Sequence, residues 1–460
     1  MQKKQVNTKV LSGFIELLPQ EQILFDNIKK IVEKSYKSAG YVTIDTPVIE
    51  KSEVLFAKAG GDTEKQVYRF TKGDNDLSLR FDLTVPFARY VSEHYNDLVF
   101  PFKRYHIAKV YRGERPQKGR YREFYQADID IVAENELSVM YDVDIISTLA
   151  KTIEKLATSC TLGNFKMRIS NRKIWDGFFE YFNISGEQKA QIINIIDKKP
   201  KITQEDFTSS LAERVKNPQI EKLIMELFEL DYIPNVGISI PEKYHSDFVF
   251  IQENDKMKLG IKELETVIKS LKSLKSMPED RFVVDLSIVR GLDYYTGTVF
   301  ETFLEKYPEF GSISSGGRYE NLCDNYTDRN ICGVGGSIGI SRTFVPLIED
   351  KKIENKWGGL VDILVLPQNE NCYAKAIEVR NEIVDYMEGI CKTSIIFENK
   401  KFKKMMEYAN KVGAKYVVII GEDEVANNTV TVKDMESGGQ QTLSISDAKI
   451  IFKNLQKILK

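Results

Sequence analysis

The chain has 460 residues, 42% hydrophobic and 29% charged, with a formal net charge of −2; it is long enough to bury large cores and to divide into two or three domains. No run of about eighteen apolar residues exists, which excludes a helical membrane span, and the N-terminal MQKKQVNTKV lacks the apolar segment of a signal peptide, so a cytoplasmic location is expected. Five scattered cysteines (Cys160, Cys323, Cys332, Cys372, Cys391) and three scattered histidines (His94, His106, His245) have no paired metal spacing, so they read as reduced structural thiols and argue against a zinc cluster or a His-centred nucleophilic triad.

The first strongly patterned stretch is Arg104 to Ile131, RYHIAKVYRGERPQKGRYREFYQADIDI. It reads as two antiparallel strands joined by a polar, glycine-containing loop. Alternation puts His106, Ala108, Val110 and Arg112 on one face of the incoming strand, and Glu114 continues that face if the strand persists. On the returning strand Tyr125, Ala127, Ile129 and Ile131 form an apolar face. Gln126, Asp128 and Asp130 point the other way and are the expected floor of a site. From Phe102 to Arg122, eight Lys or Arg residues stand against one acid, Glu114. That excess of seven positive charges, in a chain of slightly negative net charge, marks a region for phosphates.

From about Asn171 to Met277 the pattern turns helical, with apolar residues at Ile192, Ile193, Ile195 and Ile196, at Leu223, Ile224, Leu227 and Phe228, and at Ile261, Leu264, Val267, Ile268 and Leu271. Strand character returns with the alternation of Phe282, Val284, Leu286 and Ile288, and again at Val299 and Phe303, which predicts a hairpin whose tip is Gly291 to Gly297. Within it, VRGLDYYTGTVFE (Val289 to Glu301) gathers a cation, a carboxylate and two adjacent phenols, a set that suits a small zwitterion. A tyrosine-rich hairpin with a surface arginine fits these residues equally well.

The stretch Gly333 to Arg342, GVGGSIGISR, carries four glycines and runs into apolar residues at helical spacing. It predicts a strand entering a helix, with Arg342 about two turns into that helix. It ends in neither the Gly-Lys-Ser/Thr of a Walker loop nor a spaced dinucleotide fingerprint, so a parallel-sheet nucleotide fold is not supported. The charged segment Glu349 to Trp357 reads as a linker. Beyond it VDILVLP, TSIIF and KYVVIIG alternate with amphipathic runs at 371–388 and 401–412, which gives a small α/β domain.

Taken in this order, the motifs resemble those of class II aminoacyl-tRNA synthetases, and specifically the histidyl-tRNA synthetase family, over nearly the whole chain. The hairpin 104–131 is similar to motif 2 and Gly333–Arg342 to motif 3. VRGLDYYTG and SSGGRYENL (residues 314–322) resemble the histidine-specific signature, and LSLRFDLTVPFARY (residues 77–90) the amino-acid-binding strand and turn. Glu21 to Ala39 followed by Tyr41 to Ile49, with Pro47, resembles motif 1, a long helix followed by a strand. The resemblance implies an α/β protein with an α+β catalytic core: a class II antiparallel sheet with a helical insertion, plus a small C-terminal α/β anticodon-binding domain. The corresponding boundaries are 1–170 and 278–348 for the core, 171–277 for the insertion, 349–359 for a linker and 360–460 for the anticodon-binding domain. The insertion would lean on the tRNA acceptor stem, although a helical subdomain that only stabilises the core fits the same residues.

By the same resemblance, the reaction is activation of L-histidine with ATP and transfer to tRNA(His). Asp82, Thr84 and Gln126 match positions that hold the ammonium, and Asp130 and Tyr295 match those facing the imidazole, with Tyr294 beside them. A buried carboxylate on the ring selects for histidine, because an apolar competitor would leave that charge unpaired. Arg112 matches the arginine that contacts both the amino-acid carboxylate and the α-phosphate, a task suited to a planar fork. Arg290 matches the arginine on the opposite side of the α-phosphate. Glu114 matches the acceptor for the adenine amino group and Arg342 the arginine beside adenine and γ-phosphate, and Arg120 in the loop is a further candidate for the pyrophosphate. Mg²⁺ is implied on the outer phosphates, with no protein metal site. Motif 1 implies a homodimer, and Arg115 and Gln117 are candidates for reading the extra 5′ guanosine of the tRNA.

Asp82-Leu83-Thr84 resembles archaeal and eukaryotic members, whereas the short loop RGERPQKGRYREF resembles bacterial ones. Two rival functions share this ancestry. A regulatory subunit of ATP phosphoribosyltransferase would lack the anticodon domain and parts of the motifs, and a tRNA sensor without aminoacylation would carry decayed ATP residues.

Overall fold

The computed structural model describes residues 6–57, 62–199, 202–233, 236–239, 249–289, 295–353, 358–398 and 401–459. They fall into two units, Met1–Glu16 with Ile28–Ile353, and Leu17–Asn27 with Glu354–Lys460. Helix α1 (Pro19–Ser38) starts at a proline, whose missing N–H is no loss in a first turn, and stops before Gly40, which takes a left-handed φ of +82°. It matches the helix expected over Glu21 to Ala39. The strand expected over Tyr41 to Ile49 is broken. Only β1 (Val42–Thr43) and β2 (Ile49–Lys51) pair, and they join different sheets. Pro47 lies between them and has no N–H to give a ladder.

After helices α2 (Ser52–Phe56) and α3 (Asp62–Gln66), strands β3 (Arg69–Lys72) and β4 (Asn75–Leu79) complete a three-stranded sheet with β2. Helix α4 (Thr84–Glu93) follows, and then the expected hairpin of β5 (Phe102–Tyr111) and β6 (Glu123–Glu134). Helix α5 (Met140–Cys160) packs against the sheet, and β7 (Phe165–Asn171) leads into the helical stretch.

That stretch comprises α6 (Arg172–Tyr181), α7 (Gly186–Lys198), α8 (Gln204–Val215), α9 (Pro218–Leu227), a small hairpin of β8 (Asp231–Ile233) and β9 (Gly237–Ser239), α10 (Val249–Glu253) and α11 (Asp255–Lys272). The side chains of Asn171, Thr203, Asn217 and Asn254 cap α6, α8, α9 and α11 by accepting backbone N–H groups of the first turn. Ile192, Ile196, Leu223, Ile224, Leu227, Leu264, Val267, Ile268 and Leu271 are buried, as their helical spacing requires.

Strands β10 (Phe282–Val284), β11 (Thr298–Leu304), β12 (Ser312–Tyr319) and β13 (Ile331–Ile338) complete an eight-stranded sheet in the order β1-β5-β6-β13-β12-β11-β7-β10. It is antiparallel except at its edges, where β1 runs parallel to β5 and β10 parallel to β7. The hairpin expected between residues 282 and 303 does not form. β10 and β11 lie on opposite sides of β7, each paired with it along its own length. Helix α12 (Ile340–Glu349) follows β13 directly. Arg342 is therefore in its first turn and not two turns in, because the glycine-rich run stays extended through Ile338.

In the second unit, β14 (Ile363–Pro367), α13 (Tyr373–Met387), β15 (Thr393–Ile395), α14 (Phe402–Val412) and β16 (Tyr416–Ile420) fall on the runs expected from the sequence. Helix α15 (Glu422–Asn427), strands β17 (Thr429–Asp434) and β18 (Gln440–Ser444) and helix α16 (Ile445–Leu459) complete it, with sheet order β15-β14-β16-β17-β18. Ile363, Val365, Val418 and Ile420 join one core and Leu364, Leu366, Val417 and Ile419 another, so these central strands are buried on both faces and read as continuous apolar runs.

Candidate active site

The β5–β6 ladder sets Arg104 opposite Asp130, His106 opposite Asp128 and Ala108 opposite Gln126. In the next ladder Asp130 faces Gly335 and Asp128 faces Ser337. One face of three central strands thus gathers polar side chains, while α5 packs against β6 and β13. Adjacent glycines serve the two sides. A Cβ on Gly335 would overlap Asp130 Oδ1, and one on Gly336 would stand 2.6 Å from Leu149 Cδ1 of α5. The glycine run therefore admits a carboxylate on one side and a close helix on the other.

A cavity of about 260 Å³ sits on this face. It brings together seven of the residues singled out from the sequence, Asp82, Thr84, Arg112, Gln126, Asp130, Tyr295 and Arg342. At its floor Arg104 Nη2 lies 2.5 Å from Asp130 Oδ2, and Tyr319 donates its hydroxyl to Asp130 Oδ1 at 2.8 Å. Arg104 also donates to the Leu83 carbonyl at 3.3 Å and packs over the Phe87 ring. Burial pushes Asp130 up to about 7, against the pull of Arg104, and pushes Asp128 up to about 6. Asp82, buried ahead of α4, accepts the N–H of Val85 at 3.0 Å; burial raises its carboxyl, while that bond and Arg112 oppose the rise.

Arg112 lies just past the end of β5, where its Nε donates to the Phe81 carbonyl at 3.2 Å and its guanidinium packs over the Phe81 and Phe124 rings. Held by these contacts, Arg112 lines the cavity. Arg112, Phe124 and Arg342 also border an adjoining cavity of about 230 Å³, lined further by Glu114, Gly119, Arg120 and Tyr121. Arg120 is 3.8 Å from Glu114. Arg342 is held by its Nε, which donates to the Phe310 carbonyl at 3.1 Å, and its pKa is lowered by burial first and by Arg120 second. Two joined compartments therefore share one guanidinium pair, an arrangement fit for an amino acid on one side and an anionic, planar co-substrate on the other.

The basic hairpin is less charged than its sequence suggests. Lys103 pairs with Asp144 at 2.6 Å, Arg104 with Asp130, Lys109 with Glu123 at 2.7 Å and Lys118 with Asp350 at 2.7 Å. These acids lie outside the window in which the charges were counted, and of the other four cations Arg112 and Arg120 line the cavities. Arg115 and Gln117 sit exposed on the loop and line neither cavity. Gln117 and Arg120 exchange backbone hydrogen bonds of 3.2 and 2.8 Å around Gly119, whose φ of +74° requires glycine. Arg290 and Tyr294, and most of the tip expected at Gly291 to Gly297, lie outside the described residues.

Several cavity residues had been given no substrate contact, Asp128, Tyr319 and Ser337 among them. Asp128 was already visible on the polar side of β6, Tyr319 lies inside SSGGRYENL, and Ser337 within the glycine run. Pairing across strands, which decides their convergence, leaves no local mark in a sequence.

The family profile described as Histidyl-tRNA synthetase matches residues 13–343, and that of an anticodon binding domain matches residues 362–455. The histidine–tRNA ligase of Clostridium tetani (strain Massachusetts / E88) is 44% identical over 456 residues, covering 99% of this chain and 100% of the relative. Among solved structures, the histidyl-tRNA synthetase from Nostoc sp. PCC 7120 superposes with a TM-score of 0.84 at 33% identity, covering 98% of this chain and 100% of that one. A chain from Bacillus halodurans C, described as an ATP phosphoribosyltransferase regulatory subunit/histidyl-tRNA synthetase, reaches a TM-score of 0.71 at 20% identity, covering 91% and 99%, a likeness of fold alone.

Proposed function

The chain belongs to the histidyl-tRNA synthetase family, and from that premise we propose that it activates L-histidine with ATP to histidyl-adenylate and pyrophosphate, then transfers the histidine to the 3′ end of tRNA(His) with release of AMP. The observation that carries this reading is the pair of joined cavities, one floored by Asp130 and Gln126 and the other walled by Glu114 and Arg120, with Arg112 and Arg342 common to both.

The larger cavity takes histidine. Asp82, Thr84 and Gln126 receive the ammonium, and Asp130 and Tyr295 meet the imidazole, with Tyr294 in the same set. Arg112 holds the carboxylate against the α-phosphate, so that two anions that repel in water meet in line for attack. No protein nucleophile is needed, and positioning and charge stabilisation supply the rate. Glu114 accepts from the adenine amino group, Arg342 and Arg120 hold the outer phosphates, and Arg290 acts at the α-phosphate.

Among the described residues no three His, Cys, Asp or Glu side chains gather as a metal site. Mg²⁺ accompanying ATP would supply charge neutralisation on the outer phosphates, beside Arg120 and Arg342. Residues 1–170 and 278–348 form the catalytic core, 171–277 an insertion against the acceptor stem, 349–359 a linker, and 360–460 the anticodon-binding domain. The active form is a homodimer built on residues 21–49, and Arg115 and Gln117 read the 5′ guanosine. A cytoplasmic location suits this role, and no helix among the described residues is long and apolar enough to cross a membrane.

ATP–pyrophosphate exchange with each of the twenty amino acids tests the assignment. Exchange driven by histidine alone is expected, and exchange with another amino acid or with none would overturn it. The regulatory-subunit alternative is disfavoured by the second unit and by the presence of Glu114, Arg120 and Arg342 together.

A further inference from the structure

One acid on the site face has no part in the reading above. Asp128 lines the histidine cavity and is 3% exposed, standing between His106 of β5 and Ser337 of β13. Two residues back along the same face, Gln126 donates its Nε2–H to Ser337 Oγ at 3.2 Å. Ser337 stands opposite Asp128 in the β6–β13 ladder, and a hydrogen bond from its hydroxyl opposes the rise of the Asp128 carboxyl. An ionised carboxylate only accepts, so the hydroxyl gives its single hydrogen to Asp128 and keeps its lone pairs for Gln126. That direction settles the Gln126 amide: its NH₂ turns to Ser337 and its Oε1 is left as an acceptor.

Gln126 Oε1 and Asp128 Oδ1 are both buried without a protein hydrogen-bond partner among the described residues. Arg104 and Arg112 draw the Asp128 carboxyl down, but burial outweighs them, and the ion pair of Arg104 is with Asp130. His106 bonds through Nε2 to Asp45 Oδ1 at 2.8 Å, and burial with two neighbouring arginines keeps it neutral near pH 7. Two buried acceptors, one of them on a carboxylate, beside one cavity call for a cationic donor.

We infer that Asp128 is a specificity-determining residue for the α-ammonium of histidine: through Ser337 it fixes Gln126 with Oε1 as an acceptor, and its own Oδ1 completes the pair that receives the ammonium. The inference rests on the histidine reading of the cavity. It assigns Asp128 two tasks, holding Gln126 in one amide orientation and supplying charge.

The test uses the full-length chain, ATP–pyrophosphate exchange, and inhibition by two histidine analogues. Histidinol keeps the ammonium, and imidazolepropionate lacks it. Asp128→Asn can donate to Ser337, reverse the hydroxyl and flip Gln126. It is expected to raise the histidine KM and the histidinol inhibition constant roughly ten- to a hundredfold, with the imidazolepropionate constant and the ATP KM changed by less than about twofold. Ser337→Ala removes the relay but leaves the charge, so it should raise the histidinol constant by a smaller factor. The double variant should be no worse than Asp128→Asn, because the relay acts as one unit.

Equal weakening of both analogues, or an unchanged histidinol constant, overturns the inference. If Asp128→Asn does not fold, Ser337→Ala decides: selective loss of histidinol supports the inference and no change overturns it. Absence of histidine-dependent exchange in the unsubstituted chain is a different failure, which overturns the functional reading and this inference with it.

Discussion

Arg104 and Asp130 face each other across the β5–β6 ladder as an ion pair of 2.5 Å, with Arg104 wholly buried and Asp130 2% exposed. Two desolvated charges at this depth gain little over an apolar pair of the same volume, but each is costly to leave alone. Arg104→Met should therefore destabilise the first unit by about 3–5 kcal/mol by leaving Asp130 unpaired. Urea unfolding of parent and variant at neutral pH checks this, and a loss below about 1 kcal/mol would mean that Asp130 takes up a proton once Arg104 is gone.

Asp130 also meets the cavity, so its charge has a second effect. Asp130→Asn keeps the size and removes the acceptor character on one side. It should raise the histidine KM by on the order of 10²-fold or lower kcat to match, with the ATP KM little changed. Steady-state exchange kinetics with each substrate varied in turn gives the answer, and equal loss for both substrates would place Asp130 in the fold and not in recognition.

His106 predicts a pH dependence. Burial, with Arg104 and Arg80 near it, lowers its pKa from 6.5 to about 4, while Asp45 opposes the shift. The unfolded chain then binds a proton that the folded chain refuses between those two values. Stability from this group is complete above pH 6.5 and is lost as pH falls towards 4, an effect of at most roughly 3 kcal/mol. Asp128 and Asp130, raised to about 6 and about 7, work in the opposite direction through the same range, so the comparison must be with a variant. His106→Gln should unfold in urea with a smaller loss between about pH 7 and pH 5 than the parent. Identical slopes would show that the ring is protonated in the fold.

Much of this site could be read from the chain before any coordinates. Alternation along β6 separated Gln126, Asp128 and Asp130 from Ile129 and Ile131, and helical spacing found α7, α9 and α11, because these signals repeat within one element. What the sequence concealed depends on partners distant in the chain. The stretch 282–303 has the alternation of a hairpin, yet β7, more than a hundred residues upstream, separates its strands. The charge excess at 102–122 is partly offset by Asp130, Asp144 and Asp350, which lie outside that stretch and pair with three of its cations. Pro47 was read as part of a strand, where its lack of an N–H marks a break.

Gly335 and Gly336 offer a matched pair of substitutions. Each is a strand residue of β13, and a methyl group on either meets a neighbour too close to accommodate without movement. On Gly336 the neighbours are Leu149 of α5 and Phe300, both apolar, so Gly336→Ala should cost about 1–3 kcal/mol of stability through overpacking. On Gly335 the neighbour is Asp130 Oδ1, the atom that receives the Tyr319 hydroxyl. Gly335→Ala should carry a comparable overpacking cost and in addition push the carboxylate off Tyr319 and Arg104, weakening histidine use by roughly a further ten- to hundredfold. Thermal melts measure the first effect and the histidine KM in pyrophosphate exchange the second. The expected outcome is two variants of similar melting temperature, of which Gly335→Ala alone loses affinity for histidine; a similar histidine KM in both would mean that β13 shifts as a whole and that the contact between Gly335 and Asp130 does not position the acid.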